Sequence, residues 1–63
     1  MMDLLPVTID EEILCVRREI GLRERVYPRS VAAGKMKADM AEREIAAMKS
    51  VLESLHRLKG SEK

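Results

Sequence analysis

Tyr27-Pro28-Arg29-Ser30-Val31-Ala32-Ala33-Gly34-Lys35-Met36-Lys37 is the stretch on which the fold turns. Apolar residues recur at helical spacing on both sides of it, so its helix breakers set how many helices the chain makes. Gly34 follows Val31-Ala32-Ala33 and precedes a lysine. That is the pattern of a glycine just past a helix C-terminus, where the backbone turns left-handed. Gly34-Lys35-Met36-Lys37 then reads as a four-residue turn. Pro28 has two readings. Inside a helix its ring clashes with the carbonyl of Glu24, at a cost of about 3 kcal/mol. Either a first helix ends near Val26 and Pro28 opens a short new one, or one kinked helix runs on to Ala33. The apolar phase survives the proline through Ile20, Tyr27 and Val31, which favours the kinked helix. Tyr27, the only aromatic residue, is the natural anchor for the kink.

Upstream, Thr8-Ile9-Asp10-Glu11 fits a capping box, with the Thr8 hydroxyl and the Glu11 carboxylate exchanging hydrogen bonds with each other's amides. Asp10, Glu11 and Glu12 add negative charge at the positive end of the helix dipole. Helix 1 therefore starts at Ile9, after an extended segment over residues 1–8. Ile9, Ile13, Val16 and Ile20 form its inner stripe, which weakens at Glu24 and resumes at Tyr27 and Val31. Downstream, helix 2 spans roughly Ala38 to Lys59, with an inner stripe of Ala41, Ile45, Met48, Leu52 and Leu55. Residues 60–63 are expected to fray. Two helices of similar length on a short turn make an all-α, antiparallel two-helix hairpin over residues 9–59.

Composition narrows the function. The 63 residues carry 12 Lys plus Arg against 11 Asp plus Glu, and 46% are hydrophobic. One Cys and one His cannot make a disulfide within the chain and supply only two of the four ligands of a structural zinc site. No metal or cofactor is expected. His56 reads as a flanking surface residue near a helix C-terminus, and Glu42 and Glu44 are too close in sequence to share a helix face. No catalytic constellation emerges, and the chain is not expected to be an enzyme. No apolar run is long enough to span a membrane, and the amino terminus lacks a basic region and an export segment. A cytoplasmic protein is expected.

A hairpin this small has too little core to stand alone. Its sequence shows where further apolar surface lies. Cys15, Leu22, Val26 and Ala33 make a second stripe on helix 1, and Met40, Ala47, Val51 and Leu58 widen the apolar arc of helix 2. A helix with two apolar stripes has two neighbours. The simplest closed solution is a homodimer forming a four-helix, coiled-coil-like bundle. Cys15, Leu22, Val26, Met40, Val51 and Leu58 are the candidate oligomer interface. Cys15 by itself reads as a small buried hydrophobe, and Met36, Met40 and Met48 read as core filler.

Net charge is +1 but unevenly spread. Residues 1–14 carry −4, residues 15–37 carry +5, and the remainder is neutral. On a continuous helix 1, Arg18, Arg25 and Arg29 line up opposite the isoleucine stripe as a basic ridge about 16 Å long. Such a ridge suits phosphates or an acidic protein surface. The plainer reading is a solvated face laced by pairs such as Arg17 with Glu24 or Glu19 with Arg23. No aromatic platform accompanies the arginines, which argues against single-strand stacking.

The segment from Arg25 to Met36, followed by Ala41-Glu42-Arg43-Glu44-Ile45-Ala46-Ala47-Met48, resembles a recurring group of small uncharacterised phage and prophage proteins. These carry a V-Y-P-x-x-V-x-x-G-[KR]-M stretch and then an E-I-A-x-M helix. The likeness spans about residues 13–55. It departs at Ser30, where the group has a larger, often aromatic residue, and at Lys37, where a Ser or Thr cap is usual. The resemblance implies phage origin and a bacterial host cytoplasm, and no particular mechanism. The expected function is a non-enzymatic, homo-oligomeric protein-interaction module. The alternative is a nucleic-acid-associated accessory protein using the arginine ridge.

Overall fold

A computed structural model of the protein describes residues 6–61. Two α-helices, α1 (Ile9–Ala32) and α2 (Ala38–Ser61), form an antiparallel hairpin. Pro6 to Thr8 precede α1 without regular structure, and residues 1–5 of the segment expected to be extended lie outside the described region.

α1 starts where its cap chemistry places it. Thr8 is extended (φ −85°, ψ 162°), and its hydroxyl accepts from the Glu11 amide at 3.1 Å. The Thr8 amide donates to Glu11 Oε1 at 2.8 Å. Thr8→Ala removes one of these bonds and is expected to cost about 1 kcal/mol, read as a lower urea midpoint with unchanged slope.

α1 runs without a break through Pro28, so no separate helix begins there. Proline has no N–H, which leaves the Glu24 carbonyl without its usual donor four residues on. The helix stops at Ala32, one residue before the expected end, with Ala33 as its cap. The stop is a full Schellman motif. The Gly34 amide donates to the Val31 carbonyl at 3.0 Å, and the Lys35 amide to the Ser30 carbonyl at 2.9 Å. Gly34 takes φ +75° to close it. A Cβ there would meet nothing within 4 Å, so the cost of a side chain is conformational alone. Gly34→Ala is expected to lower stability by about 1–2 kcal/mol in thermal unfolding, and Gly34→Asn by less.

α2 begins at Ala38, where the Lys37 carbonyl accepts from the Ala41 amide at 3.0 Å. Lysine offers no capping oxygen; the Asp39 carboxylate instead accepts the Met40 amide at 2.9 Å. At its other end α2 continues two residues beyond the expected Lys59. Gly60 keeps a helical φ and does not act as a stop, and the Ser61 hydroxyl caps the Arg57 carbonyl at 3.1 Å. Of the tail expected to fray, residues 62 and 63 lie outside the described region.

The core is thin. Ile13 and Ile20 of α1 and Ala41 of α2 are buried, at 6–8% exposure, and among the described residues no large side chain is fully enclosed. Ile9, Val16, Tyr27, Val31, Ile45, Met48, Leu52 and Leu55 complete the inner stripes half-buried. Two ion pairs join the helices, Glu24 to Lys49 at 3.0 Å and Asp10 to Lys59. All four groups are well exposed, so each pair contributes little by itself.

Candidate functional site

The six candidate interface residues are all open to solvent. Leu22, Val26, Met40, Val51 and Leu58 are 42–58% exposed, and Cys15 is exposed with a free thiol. Cys15 is therefore not the buried hydrophobe expected of it within one hairpin. It lies well round α1 from Ile13 and Ile20, on the second stripe. Met40 likewise is not core filler, whereas Met36 and Met48 are half-buried.

The two stripes come together. Viewed down α1 with the chain receding, residues step about 100° clockwise. α2 runs the other way, so its residues step counter-clockwise. The Cys15/Leu22/Val26/Ala33 stripe lies about 130° counter-clockwise of the direction towards α2. The Met40/Ala47/Val51/Leu58 stripe lies about 100° clockwise of the direction towards α1. Both project to the same side of the plane holding the two axes. A shallow groove at the open end of the hairpin brings Val7, Cys15 and Val16 together with Val51 and Leu55, with Glu11 and Glu12 at its edge. The Glu24–Lys49 pair lies on the reverse side, with the depression between Pro28, Ala32, Ala38 and Glu42. Most of the large exposed apolar side chains thus gather on one side of the hairpin, with Glu12, Glu19 and Arg23 beside them, while the Glu24–Lys49 pair lies on the other.

Two further exposed apolar residues, Val7 and Leu14, stand outside the stripes read from the sequence. Val7, at 68% exposure, extends the groove beyond the helix end. Its signal was an apolar residue directly before the capping box, a position that often packs back on its helix. Leu14, at 59%, falls between the stripes on the reverse side, and single exposed leucines are ordinary.

Arg18, Arg25 and Arg29 are exposed on the outer face of α1, and none pairs with a described acidic residue. Of the lacing pairs expected around them, Glu19–Arg23 is present at 3.6 Å. Arg17–Glu24 is not: Glu24 reaches across to Lys49 instead. Glu53–Arg57 adds a second pair along a helix, at 3.8 Å. His56 is exposed beside Lys49, Ser50, Leu52 and Glu53 in an open depression. Among the described residues no group of three or more His, Cys, Asp or Glu side chains is placed to hold a metal ion. No described helix is long and apolar enough to cross a membrane.

Compared with known proteins, the chain matches no family model, no curated protein and no solved structure.

Proposed function

We propose that the chain is a non-enzymatic helical interaction module of the small phage type, which self-associates as a homodimer into a four-helix bundle and presents its outer faces to another protein. The observation that carries the reading is the one-sided apolar surface. Among the described residues, six of the seven large exposed apolar side chains, all but Leu14, lie on one side with Cys15, while the Glu24–Lys49 pair lies on the other. A contiguous patch of this kind marks an interaction surface. A core of three buried residues among those described supports the same reading, since so small a hairpin gains most of its stability by covering that side. Phage origin and a bacterial cytoplasm rest on the sequence resemblance. Pro28 is assigned a bend in α1: the unpartnered Glu24 carbonyl and the proline ring provide the cause, and Tyr27 and Val31 against Ala41 and Ile45 hold the far arm in place.

Sedimentation equilibrium at micromolar concentration tests the reading. A mass of twice the chain's 7.2 kDa is expected, and a 7.2 kDa species overturns it. The unpaired arginines favour a second reading, in which the ridge binds nucleic acid. If it does, a gel shift seen at about 50 mM salt should fall steeply as salt rises, and R18E/R25E should abolish it. No shift at tens of micromolar protein removes this second reading.

A further inference from the structure

Resting on the reading of the chain as a self-associating hairpin, we propose how the second copy docks. The two apolar sides meet with turn beside turn, about a twofold axis parallel to the helices. Each α1 then lies antiparallel on the partner's α2.

The exposed side carries two seams of heptad type. On α1 the positions are Cys15, Glu19, Leu22, Val26, Arg29 and Ala33; on α2 they are Met40, Glu44, Ala47, Val51, Ser54 and Leu58. Both advance by alternating steps of four and three, so an antiparallel pair interlocks if the seam midpoints are level. The midpoints are Glu24 and Lys49, whose side-chain charges pair across the hairpin at 3.0 Å. A twofold axis along the helices keeps that level in the partner. Cys15 then meets the partner's Leu58, Leu22 its Val51, Val26 its Ala47 and Ala33 its Met40. The charged seam residue Arg29 faces the partner's Glu44, and Glu19 faces its Ser54.

The other closed arrangement lays α1 on the partner's α1 and α2 on its α2, with the turns at opposite ends. Two features disfavour it. Arg18 and Arg25 flank the α1 seam on its outer edge, so this packing sets them on the same edge as their own copies, although Arg29 in the seam would face the partner's Glu19. It also layers the helices unevenly: Cys15 on Ala33 is thin, whereas Met40 on Leu58 is thick. With α1 on the partner's α2, most layers join a larger side chain to a smaller one, and the ridge borders the charge-balanced α2. Even layers let two straight helices keep one spacing along their length.

Cys15, the only cysteine, makes the arrangement testable by disulfide trapping, since bonding needs Cα atoms within about 7 Å. Under a mild oxidant, L58C is expected to run as a covalent dimer on a non-reducing gel, and C15S/L58C and A33C as monomers. A covalent dimer from A33C and not from L58C overturns the docking, as does one from the wild-type chain. A variant pair checks the result without oxidation. R29E sets two carboxylates together and is expected to weaken self-association about tenfold, and R29E/E44R to restore it. Failure of the double variant to recover overturns the pairing. The wild-type mass separates the two levels of inference: a monomer overturns the self-association reading itself, whereas a dimer with the wrong crosslinks overturns only this geometry.

Discussion

L22D/V51D is expected to sediment at the mass of a single chain and to lose most of its helical circular dichroism. The two side chains stand near the centre of the apolar side, 43% and 47% exposed in the isolated hairpin. Burying an exposed leucine or valine fully is worth about 1.5–3 kcal/mol; each is already about half covered, so the dimer gains about half of that at each of the four positions. A carboxylate in the same place loses that gain and adds the cost of desolvating a charge. The combined loss exceeds about 5 kcal/mol per dimer, a change in dissociation constant of more than about a thousandfold. Unfolding follows dissociation because three buried side chains do not hold two helices together unaided. Leu14→Asp is the control. Leu14 is more exposed than either residue but lies on the reverse side, so mass and helicity should stay as in the wild type.

The second large effect is expected at Ile20. It is 8% exposed and sits in the middle of the inner stripe, where few other side chains exclude water. Ile20→Ala should cost about 2–4 kcal/mol, the range for truncating a buried aliphatic side chain. In a domain of this size each kcal/mol lowers Tm by about 4–8 °C, so a fall of more than about 10 °C is expected. The measurement is thermal unfolding at fixed protein concentration, because the Tm of an associating chain moves with concentration. A drop of only a degree or two would show that the inner stripe contributes little. The same substitution at half-buried Val31 should cost distinctly less.

What the sequence disclosed was whatever depends on neighbours in the chain. Thr8 and Glu11 are three residues apart, and Gly34 needs only the preceding helix to act as its stop. The inner stripes are likewise a matter of period, so Ile13, Ile20 and Ala41 were legible as the inward face. Pro28 was not decided locally, because its ring is unfavourable in any helix. The helix runs on where Tyr27 and Val31 line a shared depression with Ala41 and Ile45. The partner of Glu24 was misread for a related reason. Arg17 is its neighbour along α1, but Lys49 arrives only when the hairpin closes. The apolar side was legible as two separate stripes. That they face the same way depends on combining the opposite rotations of two antiparallel helices, which neither stripe reveals alone. Gly60 misled in the other direction: glycine permits a helix stop but does not enforce one, and α2 passes through it.

The turn at residues 33–37 lies near the middle of the chain, and this shapes how quickly the protein assembles. Residues that meet across the hairpin stand at similar distances either side of it, so closure proceeds outward like a zip. The earliest contacts, Tyr27 and Val31 with Ala41 and Ile45, close loops of fewer than about twenty residues. Local topology of this kind folds in microseconds to milliseconds. Encounter of two chains at micromolar concentration, at about 10⁵–10⁷ per molar per second, takes far longer. Refolding to the proposed dimer should therefore be second order, its half-time shortening in proportion to concentration, with collision between chains and not helix formation setting the pace.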